Sequence, residues 1–331
     1  MNAKISVIIT IYKCEKYIGK CARSLFEQTL DEIEYIFVND ATPDSSIKIL
    51  NAIVNDYPKR KPFVKIINID VNSGVSNARR IGIIQATGEY IIHTDSDDWV
   101  DCDIYERLYQ KAKETNADIV GCNFRHEFSN MQYDFCQNYA NDMEDNIRHL
   151  IDGSIFPSLC TSLTRRSIIE NNGITFPIGL NMGEDLYFNL QVYLHAKKIV
   201  SIDSAPYHYR HTEDSSCIQR TWESVDSDIT IAGMIEKILR EKGLYTTFSK
   251  EVEYRKIFSK MPLIINFDRI DNYKKWLKIY PETHKHIMNF KQFNLYLRIE
   301  LWFAAHKMFY MSKAIRNTIL FLHNSKIKIL Q

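Results

Sequence analysis

The sequence of 331 residues lacks the features that mark several large classes of protein. No apolar run approaches the ~18–20 residues that a membrane-spanning helix needs. The N-terminus has no basic segment followed by an apolar stretch and a small-residue cleavage site, so we expect no secretory signal. The chain also contains no internal repeat and no low-complexity stretch. These absences predict a folded protein that does not span a membrane.

Strong net charge and paired cysteines are also missing. A formal net charge of +1 provides no global field that would select nucleic acid as a partner. The seven cysteines are scattered and include no C-x-x-C pair, so we expect them to be reduced and the protein to be cytoplasmic. No G-x-G-x-x-G follows the first predicted strand, which disfavours an oxidoreductase.

Strand and helix patterns alternate through the first hundred residues. β-branched runs such as ISVIITIY are typical of buried parallel strands, and the segments between them carry apolar residues at helical spacing. The predicted strands cover 5–12, 33–38, 64–69 and 90–94, and the predicted helices cover 15–29, 44–54 and 74–87. This alternation with short links predicts an α/β fold with a mostly parallel sheet flanked by helices.

The remainder of the chain is less regular. Its middle third predicts strands at 118–124, 158–163, 199–202 and 207–209, with helices at 165–171 and 183–196. From about residue 222 onward the pattern is helical and contains no catalytic cluster. We therefore expect an α/β domain over residues 1–220 and a helical C-terminal region over residues 221–331.

Three separate segments bring polar groups to the carboxyl ends of predicted strands. They are Thr10-Ile11-Tyr12, Asn39-Asp40 and Asp95-Ser96-Asp97. Ligands bind at this edge of open parallel sheets. The sequence therefore predicts that one rim of the sheet carries the binding site.

The segment Asp95-Ser96-Asp97-Asp98 is the strongest local signal. Mg²⁺ prefers oxygen ligands, usually takes one or two protein carboxylates, and fills its other positions with phosphate and water. A D-x-D pattern at a strand end supplies such a half-site, where the ion would offset charge on a diphosphate leaving group. The alternative is a solvated loop in which Asp97 or Asp98 caps the next helix.

Two further segments suggest contacts to a nucleotide and its phosphates. Asp40 is suited to accept hydrogen bonds from a base or a ribose, or else it satisfies its own turn. The segment from Asn72 to Arg80 opens the third helix, whose N-terminus is a natural anion site. Either Arg79 or Arg80 would face a diphosphate, and the other, by preference Arg80, would form a surface ion pair.

The remaining candidates lie in the second half of the predicted domain. Glu184-Asp185 begins a predicted helix, where one carboxylate could act as a base or both could simply favour the helix dipole. Arg210 and His211, with a following serine, could hold a diphosphate or belong to a loose basic loop. His208 alternates with Tyr207 and Tyr209, which predicts that it points to the opposite face.

Five segments together, in this order and spacing, resemble the family 2 glycosyltransferases of the GT-A fold. They are ISVIITIYKCEKYI, EYIFVNDATPDSS, NSGVSNARRIGIIQATGEYIIHTDSDDWV, MGEDLYF and YHYRHTEDSS. The resemblance spans Ile5 to about Ser216. Asn39 replaces the first acid of the family's usual Asp-Asp pair, whereas Asp40 retains the second.

The resemblance implies roles for individual residues. Asp97 would ligate Mg²⁺ or Mn²⁺, Asp185 would be the catalytic base, and Glu184 would support the acceptor. The nucleotide-sugar would be bound by Thr10, Tyr12, Asp40, Asn72, Arg79, Asp95, Ser96, Arg210 and His211. Residues 1–100 would form the donor-binding half of the domain and residues 101–220 the acceptor-binding half.

The implied reaction is an inverting transfer of a sugar from a nucleotide-sugar, with UDP the favoured nucleotide, to a hydroxyl of a carbohydrate or lipid-linked acceptor. Bacterial surface-polysaccharide synthesis suits such an enzyme. A nucleotidyltransferase would need a Gly-rich basic loop after the first strand, where Tyr12-Lys13-Cys14-Glu15 stands instead. A catalytically dead binding protein is disfavoured because Asp97, Glu184 and Asp185 are all retained.

The C-terminal segment from Lys291 to Gln331 mixes basic and apolar residues. It contains five Lys and two Arg against one Glu, interspersed with Leu301, Trp302, Phe303, Phe309, Ile315, Ile319, Leu320 and Leu322. One interpretation is an amphipathic helix that lies on the anionic inner face of a cell membrane. The other is a helix that packs on the catalytic domain.

Overall fold

The structure, a computed structural model, describes residues 3–211, 220–267 and 269–318. The chain divides into two compact units, Met1–Gln219 and Arg220–Gln331.

The first unit is an α/β unit built on one sheet. Its described strands are β1 (Ile5–Ile11), β2 (Ile33–Asn39), β3 (Val64–Asn68), β4 (Tyr90–His93), β5 (Trp99–Val100), β6 (Ile119–Glu127), β7 (Gln132–Phe135), β8 (Ser162–Arg165) and β9 (Ile199–Arg210). Its described helices are α1 (Ile18–Phe26), α2 (Ser46–Asp56), α3 (Val75–Gln85), α4 (Ile104–Thr115), α5 (Met143–Asp152), α6 (Arg166–Asn171) and α7 (Glu184–Tyr193).

The sheet combines a parallel part with a mixed part. Its strand order is β3-β2-β1-β4-β8-β6-β9-β5, with β7 paired to β6. Strands β3, β2, β1 and β4 run parallel to one another, whereas β8 is antiparallel to both β4 and β6. The predicted parallel sheet of the first hundred residues is therefore confirmed, and its carboxyl ends meet at one edge.

Strand β1 lies at the centre of the parallel part. Its residues Val7, Ile8 and Ile9 are all fully buried although consecutive side chains point to opposite faces of the sheet. A strand covered on both faces has no solvated side, which explains the unbroken β-branched run in its sequence. The core of this unit joins these strands to α1, α2 and α4.

The prediction of two short strands at 199–202 and 207–209 is wrong, because β9 is continuous from Ile199 to Arg210. It pairs in parallel with β6, and the register shifts between Cys122 and Phe124, where residues 203–206 of β9 stand against the single residue Asn123 of β6. Such an irregularity admits Pro206, which has no N–H for a strand ladder. The polar stretch before Pro206 therefore interrupts the sequence pattern but not the strand.

Other elements differ from the sequence prediction in the middle of the chain. The predicted strand 158–163 is a single 3₁₀ turn, Leu159–Thr161, followed by β8. Strands β5 and β7 and helices α4 and α5 were not predicted. Exposure explains the case of β7, because three of its four residues are exposed and thus show no apolar alternation.

The second unit is helical in its described residues. Its elements are α8 (Trp222–Glu241), α9 (Tyr245–Lys260), α10 (Pro262–Ile265), α11 (Ile270–Lys278), a 3₁₀ segment (Pro281–Asn289) and α12 (Leu295–Ala305). Thr221 and Ser224 form a capping box that begins α8. Tyr273, Trp276, Ile287 and Leu301 lie in its own apolar core. None of the helices in the described ranges is long and apolar enough to cross a membrane.

Candidate active site

A cleft of about 770 Å³ opens at the carboxyl ends of the parallel strands in the first unit. It is lined by nearly all of the polar residues that were predicted from the sequence to form the site. They are Thr10, Tyr12, Asp40, Asn72, Arg79, Asp95, Ser96, Asp97, Glu184 and Asp185. The expected convergence at one sheet edge is thus confirmed for these side chains, whereas Arg210 and His211 are not among the lining residues.

Asp40 follows β2 and is almost fully buried. One of its carboxylate oxygens accepts from the Ser73 backbone N–H (2.7 Å) and the Ser73 hydroxyl (3.0 Å). The other accepts from the Gly74 N–H (2.9 Å) and the Asn72 side-chain amide (3.0 Å). A carboxylate offers about four lone-pair sites, so these donors occupy its capacity. Asp40 therefore binds the loop that begins α3.

Gly74 allows this loop to approach the segment before α7. Its φ of 84° is in the left-handed region, and a Cβ there would lie 2.8 Å from Asn181 Oδ1. Two residues later, the Ser76 hydroxyl donates to the Leu180 carbonyl oxygen (2.6 Å). These contacts place the start of α7, and hence Glu184 and Asp185, beside the start of α3.

Arg79 lies in α3 and contacts two acidic segments of the cleft. Its guanidinium donates to Glu184 Oε1 (2.8 Å) and to Asp95 Oδ1 (3.1 Å), and its side chain is 9% exposed. Although burial acts to lower it, Asp95 and Glu184 raise the pKa of Arg79, so the guanidinium stays charged. In the structure two carboxylates accept hydrogen bonds from the guanidinium, and the expected diphosphate contact of Arg79 stays a prediction.

The adjacent Arg80 contacts a side-chain amide rather than carboxylates. Its guanidinium donates to the Asn77 side-chain oxygen (2.9 Å), one turn earlier in the helix. The expected surface ion pair is absent among the described residues. The two adjacent arginines therefore differ in burial and in charge environment because α3 turns only one of them toward the cleft.

The segment Asp95–Asp98 concentrates negative charge after β4. Burial and the neighbouring Asp95 raise the pKa of Asp97 to about 6. Burial, with Asp97 and Asp95 adding to the effect, also raises the pKa of Asp98 well above its usual value. Each carboxylate resists ionisation because it is partly desolvated beside others of like charge. The nearby Arg210 acts to lower the pKa of Asp97 but does not offset these effects.

The end of β9 supports this acidic segment. The Tyr207 hydroxyl donates to one oxygen of Asp98, and the Arg210 backbone N–H donates to the other (2.7 Å). The Arg210 Nε donates to the Asp97 backbone oxygen (2.8 Å), and its guanidinium lies 5.1 Å from the centre of the Tyr17 ring. Arg210 therefore adjoins the cleft through Asp97 and Tyr17. The role of Tyr207 was not predicted, although its place near the end of a strand that leads to Arg210 offered a signal.

His211 and His208 lie away from the cleft lining. The His211 ring stacks on Phe128 at 3.9 Å, and its Nε2 is 2.6 Å from His126 Nδ1. His208 contacts Glu127 (2.8 Å) and Asp101 (3.0 Å) on the face opposite to Tyr207 and Tyr209, as the alternation predicts. The diphosphate contact expected of His211 stays a prediction, and its ring is held in an aromatic cluster.

Glu184 and Asp185 begin α7 and differ in environment. Glu184 is buried against Arg79, and burial raises its pKa against the opposing charge of that guanidinium. Asp185 is only partly buried, lines the cleft, and accepts a hydrogen bond at Oδ1 from the Leu186 N–H (2.7 Å). Of the two, Asp185 is thus the carboxylate with access to a bound substrate.

The acidic segment also fits a divalent cation. No group of three or more His, Cys, Asp or Glu side chains suited to hold a metal occurs in the described part of the chain. A magnesium ion bound with phosphates needs only one or two carboxylates. Asp97 and its neighbour Asp95 meet that requirement, since a cation would offset the burial and the repulsion from Asp95 that raise the pKa of Asp97.

Comparison with known proteins identifies the family of this chain. The family model described as Glycosyl transferase family 2 matches residues 6–173. The uncharacterized glycosyltransferase EpsJ of Bacillus subtilis strain 168 is 34% identical over 64% of this chain and 62% of its own length. The putative glycosyltransferase EpsH of the same organism is 31% identical over 75% of this chain and 73% of its own. The chain thus spans less than two thirds of EpsJ.

Solved structures show the same fold. The crystal structure of S. aureus TarS 1–349 in complex with UDP-GlcNAc superposes with a TM-score of 0.72, covering 96% of this chain and 91% of that chain at 20% identity. The fold is therefore of the GT-A type, with a mostly parallel sheet, flanking helices and a helical C-terminal region. From the family model, the relative EpsH and the convergent acidic cleft together, we conclude that this chain belongs to glycosyl transferase family 2.

Proposed function

We propose that this protein is an inverting glycosyltransferase that moves a sugar from a UDP-sugar to a hydroxyl of a carbohydrate acceptor. The observation that supports this most directly is the shared cleft of Asp40, Asp97 and Asp185. Asp97 lies 57 residues after Asp40 in the sequence, and Asp185 lies 88 residues after Asp97. S. aureus TarS, which has the same fold, has been crystallised with UDP-GlcNAc and with UDP. Those complexes favour UDP as the nucleotide.

The donor nucleotide is assigned to the side of the cleft formed by β1, β2 and the loop before α3. Thr10, Tyr12 and Asn72 line this side and would contact base and ribose. Asp40 is fully hydrogen-bonded to residues 72–74, so a base N–H would replace one of these donors. The Asn72 side-chain amide is the donor that a base N–H would replace most easily, because this side chain can rotate away while the backbone N–H groups cannot.

Transfer then proceeds as a single displacement. The acceptor hydroxyl oxygen forms a bond to the anomeric carbon while the bond from that carbon to the diphosphate oxygen breaks. The hydroxyl proton passes to the Asp185 carboxylate, and the nucleoside diphosphate leaves with the bonding electrons. A single base suffices when the leaving group needs no proton, unlike the carboxyl pair of a glycosidase.

Metal dependence is part of the proposal. A divalent cation, Mg²⁺ or Mn²⁺, bound by Asp97 would supply electrostatic stabilisation of the departing diphosphate. Asp95 and Ser96 line the cleft beside it and would contact the sugar-nucleotide, with Arg79 keeping Asp95 in position. Arg210 holds the backbone of Asp97 and lies where its charge would act on the same phosphates.

The substitution Asp185→Asn tests the assignment of the base. We expect sugar transfer to fall by about 10²–10⁴-fold while UDP-sugar binding stays nearly intact, because the variant keeps the shape but not the basicity. Transfer and hydrolysis across a panel of UDP-sugars, and calorimetry with UDP with and without Mn²⁺, would measure the two effects. Asp70→Asn, an exposed aspartate outside the cleft, is the matched control. Loss of UDP binding in Asp185→Asn would remove Asp185 from the base role.

The acceptor is proposed to be a carbohydrate, free or lipid-linked, used for a bacterial cell-surface polysaccharide. A relative named poly(ribitol-phosphate) beta-glucosyltransferase, from Bacillus spizizenii, is 35% identical over 62% of this chain, although the match covers only 32% of its own length. Transfer assays on saccharide and polyol-phosphate acceptors would separate these chemistries.

A peripheral contact with the inner face of the cell membrane is proposed for the C-terminal region. Leu301 and Ala304 pack in the core of the second unit, whereas Tyr296, Trp302 and Tyr310 are exposed by 63%, 37% and 79%. Ile319, Leu320 and Leu322 lie outside the described residues. We expect the full chain to float with anionic liposomes and a chain ending at residue 318 to float less. Equal flotation of both would dispose of a role for the last residues, and no flotation would dispose of the membrane contact.

A further inference from the structure

The two sides of the cleft differ in chemistry. The side formed by β1, β2 and the loop before α3 is polar, and the donor is assigned to it. On the other side, β6, β9 and the loop after α5 present Phe124, Tyr209 and Phe156. An aromatic surface opposite a nucleotide-binding surface is not needed to hold the nucleotide.

Phe156 is the most accessible of these rings. It is 37% exposed and lines the cleft, whereas Phe124 is 2% exposed. The Phe124 ring lies 5.4 Å from the Phe156 ring and 6.3 Å from the Tyr209 ring, between centroids. Phe124 therefore supports the other two from within the core. A large apolar ring left partly exposed in a cleft is a surface that a ligand can cover.

Buried polar contacts hold Phe156 in place. Its backbone N–H donates to Gln137 Oε1 (3.0 Å), and its carbonyl accepts from the Ser158 N–H (2.8 Å) in a tight turn. Gln137 is 9% exposed and also donates to the Cys122 carbonyl oxygen (2.8 Å). The ring thus projects from a backbone that is fixed on the sheet, which lowers the entropy lost when a ligand packs on it.

A second contact links this turn to the helix of the proposed base. The Asn189 side chain donates to the Pro157 carbonyl oxygen (3.2 Å). Asn189 lies four residues after Asp185 in α7, and residues at that spacing share one face of a helix. The turn that carries Phe156 is therefore bonded to the same face of α7 that carries Asp185.

We propose that Phe156 and Tyr209 form a stacking surface for a cyclic sugar unit of the acceptor, which presents its hydroxyl to Asp185. This rests on the proposed function and deepens it. The C–H bonds on one face of a pyranose ring pack on the electron-rich face of an aromatic ring. An acyclic polyol chain offers no such flat face. The proposal therefore selects a ring sugar over a polyol phosphate as the acceptor class.

The test is a binding measurement that does not require turnover. Methyl hexopyranosides and, separately, ribitol and glycerol phosphate are added to the UDP-loaded full-length protein, and saturation transfer from protein to ligand is recorded by NMR. We expect transfer to the ring protons of the pyranosides and a signal at least about threefold weaker for the acyclic compounds. Equal or stronger signals for the acyclic compounds would overturn the proposal, as would no signal for any pyranoside.

Variants separate stacking from packing. Phe156→Leu retains apolar volume without a ring, and Phe156→Ala removes both. We expect both variants to lose pyranoside transfer about threefold or more while UDP binding is unchanged. Tyr133→Ala is the control, because Tyr133 is 45% exposed in the neighbouring aromatic cluster but does not line the cleft.

Three outcomes oppose the proposal. A pyranoside signal that survives in Phe156→Leu assigns the residue to packing, and a parallel loss of UDP binding assigns it to the donor site. A signal reduced equally by Tyr133→Ala indicates a general effect of the cluster. The failure of the proposed function itself would be recognised separately, as an absence of UDP-sugar binding and hydrolysis in the unaltered protein.

Discussion

Two aspartate regions at the same sheet edge have opposite electrostatic character. Asp40, after β2, is buried and accepts from four donors of residues 72–74. Asp97, after β4, is crowded by Asp95, and burial together with this neighbour raises its pKa to about 6. The first carboxylate is satisfied within the protein, whereas the second is not.

The difference indicates what each region can contribute. A saturated carboxylate organises backbone and makes the folded state more stable. An ionised carboxylate among others costs stability and is available to a cation. Arg79 lies between the two regions, since its helix starts at the loop held by Asp40 and its guanidinium reaches Asp95. Substitutions of Arg79, Asp97 and Asp40 distinguish organisation of the fold from binding of a cation.

The largest effect on stability is expected for Arg79→Met. It leaves Asp95 and Glu184 without their shared cation, and breaking a buried pair by removing one partner costs about 3–5 kcal/mol. Urea unfolding of both proteins at neutral pH would measure the loss. Arg80→Met, on the same helix, removes hydrogen bonds to Asn77 and should change the unfolding free energy by less than about 0.5 kcal/mol. Similar losses in both variants would contradict the buried bridge.

Asp97→Asn is expected to remove activity without removing stability. We expect turnover to fall by about 100-fold or more, equivalent to about 2.7 kcal/mol, because the proposed cation loses its main ligand. The unfolding free energy should stay equal or increase, since a destabilised buried charge is deleted. Turnover on a UDP-sugar and urea unfolding measure the two quantities. A parallel loss of stability would show that Asp97 is a structural residue like Asp40.

Asp40→Asn should lower the unfolding free energy, whereas Asp97→Asn should leave it equal or increase it. An amide has one oxygen where the carboxylate has two, so the donors from Asn72 and Gly74 lose their acceptor. The expected cost is about 1–3 kcal/mol of unfolding free energy. Ser73→Ala, which removes one hydroxyl donor but keeps the backbone N–H contact, should cost less than Asp40→Asn in the same unfolding experiment. Equal stability of Asp40→Asn and the unaltered protein would refute the organising role.

The smallest effect concerns pH. The pKa of Asp97 is raised from 3.8 to about 6 in the folded state, so the folded state holds this proton more tightly. The resulting stability is fully present below pH 3.8 and is lost as the pH rises through about 6. Without divalent cations, we expect the unaltered protein to lose about 1–2 kcal/mol relative to Asp97→Asn between about pH 4 and about pH 7. Parallel pH profiles of unfolding would contradict the raised pKa.

The parallel half of the fold was predictable from local sequence. The consecutive β-branched residues of β1 require burial on both faces, and helices between such strands require a parallel sheet. The mixed half was less predictable. Strand β9 continues across Pro206 because a register shift on β6 accommodates it, and β7 is exposed, so neither has the regular alternation on which strand prediction depends.

The acidic residues of the cleft were identified by type and position before their environments were known. Sequence alone placed Arg79 near the nucleotide, but its two carboxylate partners are 16 and 105 residues away and become neighbours only through folding. Likewise, nothing local to Phe156 indicates that Gln137 and Asn189 fix it at the cleft. Long-range contacts of this kind leave no periodic signal.

The sequence by itself determined the family, the alternation of strands and helices in the parallel half of the sheet, and the set of acids at one sheet edge, because these depend on residue types at short spacing. Only the tertiary structure decided that Asp40 is satisfied by four hydrogen-bond donors, that Asp97 is buried beside Asp95, and that aromatic rings line the same cleft. The reason is that a pKa and a hydrogen-bond inventory depend on desolvation and on neighbours from distant segments, which the chain brings together only when it folds.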